Sequence, residues 1–73
     1  MTQNITTVVL EQSPTELYKI LKFEGLASSG AEAKLFIANG LVKVNGDIET
    51  RKRKKIIHGD LIEYDIYTLK IRN

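Results

Sequence analysis

Arg51-Lys52-Arg53-Lys54-Lys55 places five cations in consecutive positions with no acidic residue between them. The chain has 11 basic and 9 acidic residues, so nearly half of its positive charge lies in this segment although the net charge is only +2. Such a run repels itself unless counterions or a partner screen it. Scattered lysines would serve solubility equally well, so the clustering points to a polyanion. Arginine can hold a phosphate through two parallel N–H donors, whereas lysine acts as a point charge. If the run is extended, Arg51, Arg53 and Lys55 share one face and Lys52 and Lys54 the other. The bland alternative is a solvated loop, and a nuclear localisation signal is a further one.

A second feature precedes it. Ser29-Gly30-Ala31-Glu32 reads as a capping box that opens a helix. The first amides of a helix lack internal partners and carry partial positive charge. Gly30 has no side chain to keep a phosphate away, and Lys34 one turn on adds a full charge. Glu32 counts the other way, because its carboxylate competes for the same amides; a plain capped helix remains the alternative. Lys43 lies between Val42 and Val44 and should point outward, next to the turn residue Asn45. The hairpin is expected to bring Lys43 near both the helix start and the basic run. The candidate contacts for a polyanion are therefore Ser29, Gly30, Lys34, Lys43, Asn45, Arg51, Lys52, Arg53, Lys54 and Lys55.

Residues for catalysis are scarce. His58 is the sole histidine, and beside Gly59-Asp60 it reads as a turn residue. Ser28 and Ser29 have no activating base nearby in sequence. The glycines spell no phosphate-loop or dinucleotide pattern. Asp60, Glu63 and Asp65 read as a solvated strand face rather than a metal site. The expectation is no catalytic residue, no metal and no cofactor.

The elements that must position these cations follow from the pattern. Thr6 to Leu10 is β-branched and apolar, which predicts a strand. Ser13-Pro14-Thr15-Glu16 predicts a helix start, with Ser13 as cap and Glu16 closing a capping box. Leu17, Ile20 and Leu21 form its apolar stripe, Lys19 and Lys22 point away, and Gly25 ends it with Leu26 packing back. Ala33, Phe36 and Ile37 form the stripe of the second helix, which Asn39-Gly40 ends. The short link means that the two helices pack together. Asn45-Gly46 then predicts a type I′ hairpin between Leu41–Val44 and Asp47–Thr50. After the basic run come Ile56-Ile57, a turn at His58-Gly59-Asp60, and two alternating stretches, 61–66 and 67–71. The order predicts an α+β fold with two packed short helices and a small, mostly antiparallel sheet.

The length of 73 residues allows a single domain, 1–73. No apolar run reaches the roughly 18 residues of a membrane span. Met1-Thr2-Gln3-Asn4 does not read as the start of a signal peptide. The absence of cysteine excludes disulfides and fits a reducing cytoplasm. A monomer is expected.

From Glu16-Leu17 through Tyr64 the chain resembles the RNA-binding domain named after the fourth small-subunit ribosomal protein, the alpha-L motif. The segments that carry the resemblance are 25–34, 37–46 and 59–63, with Val42-Lys43-Val44-Asn45-Gly46 and Gly59-Asp60 in the family's order and spacing. The short length, Ser29-Gly30 and Glu49-Thr50-Arg51-Lys52-Arg53 look like the stand-alone bacterial members, the YaaA/YbcJ type. The resemblance implies an alpha-L fold with a core at about residues 16–64 and a bacterial cytoplasmic protein. It also implies structured RNA as partner, with ribosomal RNA or ribosomal particles as the candidate class. Two positions depart from the pattern: Gly30 stands where many members have arginine, and Glu16-Leu17-Tyr18 where many have Arg-Leu-Asp. There is no Trp, and Phe23 and Phe36 fall on helix positions that look buried, so recognition by phosphate, 2′-OH and groove shape is favoured over base stacking. A protein-interaction or DNA-binding accessory module using the same basic patch is the alternative.

Overall fold

The computed structural model describes residues 4–73. The expectation about a leader rests in part on Met1–Gln3 and lies outside the described residues. The elements follow in the order β1 (Asn4–Val9), β2 (Thr15–Glu16), α1 (Leu17–Phe23), α2 (Gly30–Ala38), β3 (Val42–Val44), β4 (Asp47–Ile48), β5 (Lys55–Ile56), β6 (Leu61–Tyr64) and β7 (Tyr67–Arg72). The main sheet has the order β1-β7-β6-β3-β4, and β2 and β5 form a separate pair. β1 runs parallel to β7, and the other pairings are antiparallel. This is the α+β fold expected.

Alternation along the strands aims one sheet face at the helices. Val8, Val42, Val44, Ile62, Leu69 and Ile71 are buried there against Leu17, Ile20 and Leu21 of α1 and Ala33 and Ile37 of α2. Leu17, Leu21 and Ile37 are fully buried. Each such side chain contributes about 1.5–3 kcal/mol of transfer free energy. Phe36 packs on this core and stacks on Tyr64, with ring centroids 4.9 Å apart.

The punctuation residues act as the sequence implies. Gly25 (φ 75°) ends α1, and the N–H of Leu26 donates back to the Leu21 carbonyl at 3.0 Å. Asn45 (φ 54°) and Gly46 (φ 88°) make the tight turn between β3 and β4. The partner strand is shorter than Asp47–Thr50, since β4 ends at Ile48 and Glu49 makes one more bond, from its N–H to the Val42 carbonyl.

The first helix start differs from the expectation. Ser13 does not cap it and Pro14 is not its first residue. Thr15 and Glu16 instead form β2, opposite Ile56 and Lys55 of β5. The helix begins at Leu17, and Glu16 at the cap position makes no side-chain capping bond. Its first amides find backbone acceptors: Leu17 N–H donates to the Lys54 carbonyl at 2.9 Å and Tyr18 N–H to the Lys52 carbonyl at 3.2 Å. Long-range carbonyls do here what a local side chain was expected to do.

Candidate nucleic-acid interface

Those two bonds also fix the basic run. Arg51 to Lys54 forms a turn, closed by Lys54 N–H donating to the Arg51 carbonyl at 3.2 Å, and Lys55 enters β5. The run is therefore not extended, and the expected split into two alternating faces does not hold. The carbonyls of Lys52 and Lys54 turn inward to the start of α1. The side chains of Arg51, Lys52, Arg53 and Lys55 are left exposed, with Lys54 half-buried.

The charges are not equivalent. Arg51 grips Glu49 with both Nε and Nη2, at 2.9 and 3.0 Å. This guanidinium, with a further bond from the Arg51 amide, holds the Glu49 carboxyl at about 2, far below the usual range, against the opposing effect of burial. Glu16 is a second hub: its carboxylate lies 3.5 Å from Lys19, 3.7 Å from Lys55 and 3.9 Å from Arg53. Lys34, Lys52 and Lys54 make no ion pair among the described residues.

Lys34, Thr50, Lys52 and Arg53 line one open cleft of about 420 Å³. The start of α2 adjoins it through Tyr18. The Lys34 ammonium sits 4.5 Å from the centre of the Tyr18 ring, and a Cβ at Gly30 would meet the same ring at 3.5 Å. Tyr18 thus joins both helix starts and orients Lys34. In the sequence Tyr18 stands out only as a departure from the family pattern; its spacing to Lys34 carries no signal, because the two meet across helices.

At the α2 start, Ser29 Oγ accepts from Glu32 N–H at 3.1 Å, as the capping box requires. The Glu32 carboxylate reaches one residue further back than expected and accepts from Ser28 N–H at 2.8 Å. The amides of Gly30 and Ala31 have no acceptor among the described residues.

Two sequence candidates lie elsewhere. Lys43 is exposed, but on the sheet face opposite the helices, between Ile48 and Glu63 in register, and not beside the cleft as expected. Asn45 spends its side chain internally: Nδ2 donates to Asp60 at 3.0 Å, and Oδ1 accepts from Leu61 N–H at 2.9 Å. Asp60 also accepts from Ile57 N–H, so it ties turns together rather than facing solvent with Glu63 and Asp65. His58 accepts from Asn73 N–H through Nδ1. Phe23 is 68% exposed, contrary to the expectation that both phenylalanines are buried. Among the described residues no group of His, Asp and Glu side chains is arranged to hold a metal ion, and no helix is long and apolar enough to cross a membrane.

Known proteins share this arrangement. YbcJ of Escherichia coli (strain K12) is 46% identical over 56 residues, covering 77% of this chain and 80% of its own length, and YbcJ of Shigella flexneri matches equally. The solution structure of E. coli YbcJ, described as an alpha-L motif involved in RNA-binding, covers 100% of this chain and 91% of its own, with a TM-score of 0.68 and 36% identity. The family model for the S4 domain matches residues 8–72. That span is wider than the core expected from the motifs, because it takes in the end of β1 and all of β7. On these matches the chain belongs to the S4 domain family.

Proposed function

We propose that this chain is an RNA-binding module that takes structured RNA, ribosomal RNA in particular, and performs no chemistry on it. The observation that carries the reading is the convergence of Lys34, Lys52 and Arg53 on one open cleft beside the start of α2. Phosphates entering the cleft would meet two lysines without an internal counter-ion and an arginine whose carboxylate partner is 3.9 Å away. The free amides of Gly30 and Ala31 and the Ser29 cap mark a second contact point at its edge. Lys54 and Lys55 extend the positive surface toward β5. The family and the RNA-binding description of YbcJ support the same partner. The cytoplasm, where such RNA resides, is the place of action under this reading.

The test is affinity for structured ribosomal RNA and for a DNA duplex of matched length across a salt series. Each phosphate contact contributes about −0.7 to −0.9 to the slope of log affinity against log salt. The expected result is a preference for RNA at every salt concentration. The triple variant Lys34→Ala/Lys52→Ala/Arg53→Ala should lose about 2 units of that slope while keeping its circular dichroism. Equal binding to RNA and DNA, or an unchanged slope in the variant, would refute the reading.

A further inference from the structure

β1 forms one edge of the main sheet, and Asn4-Ile5-Thr6-Thr7-Val8-Val9 contains no charge and no proline. The other edge, β4, is two residues long. Natural edge strands are usually blunted by charge, proline, a bulge or shortness, because unpaired backbone groups recruit other strands. β4 is blunted by shortness and β1 shows no such device.

The direction of the free groups follows from the ladder. Asn4 N–H donates to the Ile66 carbonyl and Leu10 N–H to the Arg72 carbonyl. Even-numbered residues therefore turn their backbone toward β7. The N–H and C=O of Ile5, Thr7 and Val9 point out of the sheet, and no hydrogen bond among the described residues reaches them. On the sheet face away from the helices, Ile5 is 56% and Val9 60% exposed.

We propose that β1 pairs antiparallel with β1 of a second copy, about a two-fold axis through Thr7, joining two sheets into one. An axis perpendicular to the sheet keeps each face on its own side, so residues opposite one another must share a face. With Thr7 opposite Thr7, Ile5 lies opposite Val9 of the second copy and Thr6 opposite its Val8. All the outward residues then form hydrogen-bonded pairs, in which each pair exchanges both of its bonds. The exposed aliphatics meet each other, and cross-strand β-branched pairs are favourable. Moving the axis to Thr6 leaves Val9 without an aliphatic partner in the strand, and moving it to Val8 leaves Ile5 beyond the strand's end. The occupant is a copy of itself because β1 complements β1 in this register: every outward residue meets an outward residue, and each exposed aliphatic meets another. Both helix layers lie on the same side of the joined sheet. The contact is small, below the roughly 1,000 Å² of a stable interface, so the dimer is weak and concentration-dependent.

Sedimentation equilibrium of the full chain without RNA tests this. The mass should rise from 8.3 kDa toward twice that value as concentration approaches millimolar. Thr7→Pro deletes an outward N–H and spares the β7 ladder, a placement edge strands tolerate. Thr7→Lys sets like charges against each other on the axis. Each variant should weaken association at least tenfold while the circular dichroism is kept, and Thr7→Lys suffices should the proline variant unfold. The chain has no cysteine, so register can be read directly. Thr7→Cys puts two thiols on the axis, at a Cα separation of about 5.5 Å, within reach of a disulfide. In Val9→Cys the thiols are about 13 Å apart along the strand, from a rise of about 3.3 Å per residue. Rapid oxidation to a covalent dimer in the first and none in the second is expected. A mass that stays at 8.3 kDa at millimolar concentration, a dimer that survives Thr7→Lys, or equal cross-linking of both cysteine variants would overturn the proposal.

Discussion

Arg51 heads the basic run, yet it is the member least free to bind a phosphate. Its guanidinium is spent on Glu49 in a two-pronged contact, so an RNA phosphate would have to displace a carboxylate. Arg51→Ala should therefore cost clearly less RNA affinity than Lys52→Ala, a comparison that filter binding at one salt concentration can read. The same pair makes a pH prediction. The Glu49 carboxyl is lowered from 4.5 to about 2 in the fold. As pH falls, the unfolded chain takes up this proton first, so the stability it supplies is full above 4.5 and is lost on descending toward 2. Denaturant unfolding across that window should give a flatter dependence of stability on pH in Glu49→Gln than in the parent. An unchanged slope would mean that the pair does not hold in solution. The five cations and their clustering were legible in the sequence, and so in principle was Glu49, only two residues before Arg51. Glu16 was not, because its partners Arg53 and Lys55 lie far along the chain and meet it only once β2 and β5 pair.

The elements were legible where a single local signal governed them. Ser29 caps α2 with its own hydroxyl, and Gly25 and Asn45-Gly46 supply the positive φ that ends α1 and turns the hairpin. The start of α1 was not, because two signals competed. Ser13-Pro14-Thr15-Glu16 has the composition of a cap, but a two-residue ladder to β5 takes Thr15 and Glu16, and the carbonyls of Lys52 and Lys54 satisfy the helix amides. No property of residues 13–16 announces an acceptor some 35 positions later. The turn makes the contrasting prediction. Gly46 sits at φ 88° with open space where a Cβ would go, so sterics with neighbours are not the issue. The backbone conformation is, since β-branched residues strongly disfavour positive φ. Gly46→Val should lose about 1–3 kcal/mol in urea unfolding. An unaffected midpoint would mean that the hairpin can take another turn type without loss.

At the scale of the molecule, net charge is a poor guide and its distribution a good one. The value of +2 conceals two exposed basic surfaces on opposite sides of the sheet. One is the cleft with Lys34, Lys52 and Arg53 on the helix side. The other carries Lys43, Lys70 and Arg72 on the far face, where Lys43 is paired in register with Glu63. If RNA were held by the general field of a basic protein, removing any one cation would weaken it alike. If it is held at the cleft, position decides. Lys52→Ala and Lys70→Ala each lower the net charge by one and remove an exposed side chain that makes no ion pair among the described residues. A cation that binds one phosphate supplies about 0.7–0.9 of the salt slope. The expected outcome is a slope shallower by that amount in Lys52→Ala and an unchanged slope in Lys70→Ala, measured against one structured RNA over one salt range. Equal changes would place the RNA in the general field or across both faces. A change confined to Lys70→Ala would move the interface to the open sheet, next to the strand edge at which two copies are proposed to join.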